Sequence, residues 1–282
     1  MIFINQTKVP DVNMLYFFYN LEGVKIVDIF KKKFEVKDIT KIDDEILLFD
    51  PSLENLKLIL DLDKSVTIVM SYVNEDYVPL LGRDNIKKVL IFEDLEATFL
   101  DSRKINKFEL VKPTMPISES PVEKLDDIAV FTSIHDMKPS DNNILYEISI
   151  LHRVIYYGYK VVEDNSDFKT LMGINYSPVK IRPFPIFNLK ELIQKSLFTL
   201  DFSSNKFPIA VFSSLEYKNI PIIFGNKYRR WIATEFQNPE LQDLKEVFKN
   251  SSNNFKLEII DKQREIFKEY FKNHKPVNEV LN

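Results

Sequence analysis

Short apolar runs alternate along the chain with stretches whose apolar positions recur every three or four residues. Residues 2–5 (IFIN), 45–49 (EILLF), 65–71 (SVTIVMS) and 88–92 (KVLIF) read as buried strands. The Asp50-Pro51 pair punctuates the chain before a helical pattern over 53–60. Residues 13–30 are apolar and crowded with aromatics, and they predict a helix. A break falls at 111–125, where Pro113, Pro116 and Pro121 stand among Thr, Ser and Glu. Proline removes a backbone donor and keeps its predecessor out of the helical region, so the break predicts a linker. Alternation then resumes. Strands are predicted at 128–133 (IAVFTS), 159–162, 179–183, 198–202 and 220–224 (IPIIF). Helices are predicted at 141–157, 167–172, 189–196, 210–217, 239–249 and 257–272, and a frayed polar tail at 276–282. In the helix 141–157, Ile144, Ile148, Leu151 and Ile155 form the expected buried stripe. This order is that of an α/β fold with mainly parallel sheets.

Composition narrows the chemistry. With 282 residues, 45% of them hydrophobic and 28% charged, the chain suits one large domain or two ordinary ones. A net charge of -4 argues against nucleic acid as the main partner. There is no cysteine, so disulfides, thiolate catalysis and cysteine-bound zinc are excluded. His135, His152 and His274 are too dispersed for a zinc triad, and no metal is expected. Only 5 glycines occur, and neither GxGxxG nor GxxxxGK[ST] is among the motifs, which disfavours dinucleotide-binding dehydrogenases and P-loop NTPases. No apolar run approaches the roughly 20 residues of a membrane span. The first residues lack a signal-peptide pattern, so a cytoplasmic protein is the expectation.

The informative segment is 179–225, VKIRPFPIFNLKELIQKSLFTLDFSSNKFPIAVFSSLEYKNIPIIFG. It runs strand, Phe-Pro turn, helix ending LIQKS, strand LFTLDFS, polar loop, Phe207-Pro208, helix, and the closing Ile220-Pro221-Ile222-Ile223. This order resembles the C-terminal domain of GT-B nucleotide-sugar glycosyltransferases, the class that includes glycogen synthase and sucrose synthase. The resemblance covers about the last two-thirds of the chain. It implies an α/β protein of two Rossmann-like domains facing a cleft. Residues 1–115 would be the acceptor-side domain and 116–262 the nucleotide-sugar-binding domain. Residues 263–282 would form a helix packing back on the first domain, with Ile266, Phe267, Tyr270 and Phe271 on one face. The implied activity is transfer of a sugar from a nucleotide-sugar to an acceptor that the sequence does not identify: a glycan, a protein or a nucleic acid. Retention of configuration is implied, with neither metal nor cofactor.

The resemblance also distributes roles. A helix starting near Ala210 would aim its unpaired N–H groups at the diphosphate. Asn205, Lys206, Phe207 and Pro208 would place the sugar. The family carries two carboxylates here, eight apart. This chain has Asn205 at the first position and Ser213 or Ser214 at the second, with Glu216 the nearest acid. In the loop SIHDMKP, Lys138 matches the family's phosphate-binding base and His135 stands beside it. Arg182 and Phe184, in RPFP, match the position near the nucleotide base. Residues 1–115 have no histidine, so Glu75 and Asp76, with His135 from the domain that follows, are the candidate catalytic groups. Each of these loops could equally be a solvated connector, and the Lys227–Trp231 run (KYRRW) a solvated face with one anchoring aromatic. The missing acidic pair supports an alternative, a non-catalytic binding protein on the same scaffold. A sugar-nucleotide epimerase would share the two-domain fold but needs a catalytic histidine and carboxylates that the sequence does not locate.

Overall fold

Strands such as ILLF and VTIVM have no polar face, which only a sheet covered on both sides accommodates. The computed structural model describes residues 2–5, 25–28, 39–41, 43–112, 125–130, 139–157, 180–182, 196–202, 208, 218–225, 227–249 and 253–281. Its strands, in chain order, are β1 (Ile2–Asn5), β2 (Lys25–Asp28), β3 (Ile46–Phe49), β4 (Val66–Met70), β5 (Ile86–Ile91), β6 (Phe108–Lys112), β7 (Leu125–Val130), β8 (Val154–Tyr157), β9 (Lys180–Arg182), β10 (Ser196–Asp201), β11 (Ile220–Ile223) and β12 (Lys275–Pro276). The described helices are α1 (Leu53–Leu60), α2 (Val78–Leu81), α3 (Asp94–Ser102), α4 (Pro139–Leu151), α5 (Leu241–Lys249), α6 (Asn253–Tyr270) and α7 (Val277–Leu281). The chain divides into two compact units: Met1–Thr114 with Asn273–Asn282, and Met115–Lys272.

Unit 1 holds a seven-stranded sheet in the order β12-β6-β5-β4-β3-β1-β2, parallel at every pairing. β3 and β4 are buried along their whole length. Helix α1 starts because Ser52, in extended backbone, accepts a hydrogen bond from the Asn55 N–H at 3.2 Å. It then lays Leu56, Ile59 and Leu60 onto the sheet, in one cluster with Ile46, Leu48, Ile68, Met70, Val89 and Leu100. Asp50 turns the chain out of β3 with a left-handed φ of 39°. Both its carboxylate oxygens are tied to the end of β4: Oδ1 accepts from the Ser71 N–H at 2.7 Å and Oδ2 from the Ser71 hydroxyl at 2.5 Å.

Unit 2 holds a five-stranded parallel sheet in the order β11-β10-β7-β8-β9. β10 is fully buried and central, next to β7 on one side and β11 on the other. His152, after α4, meets Phe248 of α5 edge-on at 4.9 Å, a packing role.

Several expectations are corrected. Within the run 13–30, expected to contain a helix, residues 25–28 (KIVD) form a strand that pairs with β1, and 13–24 and 29–30 lie outside the described residues. The helix expected to reach 157 stops at Leu151, and Val154–Tyr157 pairs with β7. Ile155 therefore belongs to a strand, while Leu151 is exposed and Leu145 and Ile148 are buried. The tail is not frayed. β12 pairs with β6, and Val277 and Val280 are buried. Helix α3 and strand β6 had no counterpart in the sequence reading. The segments 159–162, 167–172, 189–195 and 210–217 lie outside the described residues. Phe267 and Phe271, grouped by the pattern on one helix face, meet the Trp231 ring within unit 2 at 6.2 and 6.0 Å. The segment that joins unit 1 is the one that follows, Asn273–Asn282.

Leu48 is fully buried at the centre of unit 1. Leu48→Ala is expected to cost about 2–5 kcal/mol, as buried leucine truncations do. Urea unfolding of the full chain measures it, and a loss below 1 kcal/mol would mean that the sheet face is less tightly packed than described.

Candidate functional site

A parallel sheet has all its carboxyl ends on one edge, and ligands settle there at the point where strand order reverses. In unit 2 the chain first adds β8 and β9 on one side of β7, then crosses to place β10 and β11 on the other. The reversal lies between β7 and β10. In unit 1 the same reversal lies between β1 and β3.

The ends of these strands are firmly built. The Phe224 N–H donates to the Asp201 carbonyl at 2.8 Å. The Phe202 and Phe224 rings stack at 4.8 Å with an interplanar angle of 10°. Asp201, Phe202 and Pro208 are all buried. The connection after β11 is held by side-chain amides. Gln237 accepts from the Arg229 N–H at 2.7 Å and donates to the Arg229 and Ile232 carbonyls at 2.9 and 2.8 Å. Gln263 of α6 accepts from the Ala233 N–H at 2.6 Å and donates to the Trp231 carbonyl at 2.7 Å. Asn238, with φ of 50°, accepts from the Gly225 N–H at 2.6 Å. The KYRRW run is thus split: Arg229 and Trp231 are buried, and Tyr228 and Arg230 are exposed. Sequence reasoning passed over Gln237, Asn238 and Gln263. A glutamine carries no periodic signature, although Gln263 on the buried side of an amphipathic helix was a visible exception.

The residues proposed from sequence fall as follows. His135 and Lys138 lie outside the described residues, in the connection that leaves β7 after Val130. Asn205, Lys206, Phe207, Ser213, Ser214 and Glu216 also lie outside them, in the connection that leaves β10 after Asp201. Pro208, in that same connection, is buried. Chain connectivity therefore starts both connections at the two strands that flank the reversal. Arg182 ends β9 at the sheet's far side, and Phe184 follows it outside the described residues. Glu75 and Asp76 are in the 3-10 turn Glu75–Tyr77 of unit 1, exposed to solvent. The Arg103 guanidinium donates to the Glu75 carboxylate, and the Asp76 N–H donates to Asn74 Oδ1 at 3.1 Å. Both residues thus sit in a capped, ion-paired surface turn after β4.

A depression of about 360 Å³ in unit 1 is lined by Leu60, Asp63, Gly82, Arg83, Asp84 and Asn85. These residues precede β4 and β5, on the amino edge, opposite the edge at which parallel sheets bind ligands. Among the described residues no group of three or more His, Asp or Glu is placed to hold a metal ion. No described helix is long and apolar enough to cross a membrane.

Two parallel sheets with these reversals fit the GT-B fold, and solved structures of that fold superpose on the chain. A variant of TarM from S. aureus, in complex with fondaparinux, α-GlcNAc-glycerol and UDP, superposes with a TM-score of 0.57 at 12% identity, over 80% of this chain and 52% of TarM. The pneumococcal O-GlcNAc transferase GtfA, with UDP and GlcNAc, gives 0.54 at 13% identity over 89% of this chain and 60% of GtfA. S. aureus MnaA, with UDP, gives 0.56 at 9% identity over 92% of this chain and 90% of MnaA. The chain thus spans about half the length of TarM and three-fifths of GtfA. No protein-family model and no curated protein sequence matches the chain.

Gln263 is fully buried between Trp231 and Ala233. Gln263→Met keeps its volume but strands one N–H and one carbonyl, at about 1–3 kcal/mol each. Trp231 is the only tryptophan, so its fluorescence during thermal unfolding reports the loss directly. An unchanged melting temperature would mean that the connection after β11 stands without the clamp.

Proposed function

We propose that the protein transfers a sugar from a UDP-sugar to a hydroxyl-bearing acceptor, with retention at the sugar and with unit 2 holding the donor. The observation that carries the reading is topological. The two connections singled out by resemblance, the one containing Lys138 and the one containing Asn205 to Glu216, begin at β7 and β10, the pair flanking the strand reversal. All three structural neighbours named above hold UDP. In the reaction the bond from the anomeric carbon to the diphosphate breaks, a bond to the acceptor oxygen forms, and the acceptor's proton leaves with the nucleoside diphosphate. Lys138 and backbone N–H groups after Pro208 would stabilise the charge that gathers on that diphosphate. Arg182 and Phe184 would lie toward the base. Asn205, Lys206, Phe207, Ser213 and Ser214 would lie toward the sugar, with Glu216 the nearest carboxylate.

Calorimetry with UDP, GDP and ADP tests donor binding. UDP is expected to bind best, and Lys138→Ala to weaken it about tenfold to a hundredfold, the loss of one charge-assisted contact of roughly 1.5–3 kcal/mol. Equal affinity in native and variant protein, with the fold intact, removes Lys138 from the site. No response to any of the diphosphates removes the reading.

A second reading is favoured by one specific feature: by the resemblance, Asn205 and either Ser213 or Ser214 would stand where the family has carboxylates. On that reading the protein binds the nucleotide-sugar and transfers nothing. Asn205→Glu and Ser213→Glu separate the two. In a transferase either change is expected to alter the release of UDP from UDP-sugars, upward if the carboxylate suits the donor and downward if it does not. In a binding protein affinity moves while no UDP is released by any form. Indifference of both affinity and turnover would make the connection a plain linker.

A further inference from the structure

The segment Asn273–Asn282 closes unit 1. β12 extends the sheet beside β6, with Lys275 opposite Val111 and Pro276 opposite Lys112. Lys88 Nζ donates to the Val280 carbonyl at 3.2 Å, and Lys275 pairs with Glu109 at 3.4 Å. Val277 and Val280 are buried. These are modest attachments: two strand residues, two buried valines and surface ion pairs, each pair worth about 0–1 kcal/mol.

His274 stands at the head of this segment. Its side chain is only 2% exposed, with Nε2 3.9 Å from Asp94 Oδ1 at the start of α3 and the backbone of Phe92, after β5, close to the ring. The charged groups nearby come from every neighbouring element. Asp94, half-exposed, opens α3, the buried Glu93 stands at the N-cap of that helix, the buried Glu96 lies in its first turn, and Lys112 ends β6. On either side of His274 in the chain, Lys272 pairs with Glu269 and Lys275 with Glu109.

We propose that His274 is a proton-operated latch: with a neutral ring the segment 273–282 lies docked on unit 1, and protonation of the ring releases it and bares the β6 edge. Enclosing a cation at 2% exposure strips it of water, and Asp94, half-exposed and 3.9 Å away, offsets only part of that cost, whereas in the released segment water solvates it. The bared β6 would then be an unpaired strand edge.

The direction of titration agrees with the geometry. Burial pushes the His274 pKa below its usual value. Asp94 raises it, Lys112 lowers it, and the nearby Phe92 backbone raises it, without reversing the net fall. Released, the ring titrates near its ordinary value of about 6.5. Docking is therefore fully favoured above that pH and is lost progressively as pH falls through it toward the lower docked value. One proton of linkage limits the effect to about tenfold in the opening equilibrium for each pH unit.

Hydrogen exchange of the amides of 275–281 in the full chain, corrected for intrinsic rates, reads the opening equilibrium at pH 7.5 and 5.5. The native protein is expected to open more at pH 5.5, by less than the ceiling of about tenfold that one proton titrating near 6.5 in the released segment allows. His274→Gln is expected to show no such rise. Asp94→Asn keeps the ring but removes the carboxylate that tolerates its proton, so its acid rise, relative to its own value at pH 7.5, is expected to exceed the native one. A native protein with equal opening at both pH values overturns the proposal, and so does an equal acid rise in His274→Gln. If His274→Gln is already open at pH 7.5, Asp94→Asn decides: a larger acid rise than native supports the latch and an unchanged one overturns it.

Discussion

Every strand pairing among the described residues is parallel, and the rest of the structure depends on that. A parallel neighbour cannot be reached by a tight turn, so each strand needs a crossover. Crossovers place helices on the sheet faces, which is why β3, β4 and β10 are buried along their full length, the polar Thr67, Ser196, Thr199 and Asp201 included. The same geometry gathers all carboxyl ends on one edge and gives the chain one place per sheet where neighbouring connections part. The sheet thus decides where chemistry can sit before any side chain is specified.

Holding that edge in shape takes polar side chains rather than apolar ones. A connection leaving a buried strand carries N–H and C=O groups that have lost their ladder partners. Asp50 takes both donors of Ser71, and Gln237, Asn238 and Gln263 together bond six backbone groups of Gly225, Arg229, Trp231, Ile232 and Ala233. Burying Gln263 without partners would be costly, so its two bonds stabilise chiefly by averting that penalty. Around it, Trp231, Phe267 and Phe271 supply the apolar area. The 18-residue helix α6 is in this way tied to the connection that leaves β11.

Much of this was legible in sequence, for reasons that differ by element. β3, β4 and β11 were visible because a fully buried strand is a short uninterrupted apolar run flanked by turn residues. β2 was not, since KIVD sits in an aromatic stretch whose period is ambiguous. The end of α4 was misplaced because Ile144, Ile148, Leu151 and Ile155 keep helical spacing across the Ser-free turn at His152-Arg153, and only pairing with β7 makes Val154–Tyr157 extended. The polar composition of 276–282 concealed Val277 and Val280, which are buried by a partner strand far away in sequence. At the candidate site, order along the chain identified which connections matter, whereas the amide clamps after β11 depend on tertiary proximity that no local pattern encodes.

The replacement of a pair of acids by Asn205 and either Ser213 or Ser214, which the resemblance implies, has a definite consequence under the proposed reading. A carboxylate binding a sugar hydroxyl makes a charge-assisted bond of about 1.5–3 kcal/mol, while an amide or hydroxyl makes a neutral one nearer 0.5–1.5 kcal/mol. Two such replacements shift the balance of donor binding from the sugar toward the diphosphate and the base. The sugar then contributes shape more than charge, so stereoisomers that differ at one hydroxyl are separated by less. Such a site would also hold UDP nearly as well as UDP-sugar, and leaving-group release becomes the step that the protein's cations and helix N-termini govern. On that reading, with Lys138 present and neither carboxylate, the site would favour nucleotide capture over sugar discrimination, and that is common ground between the transferase and the binding protein.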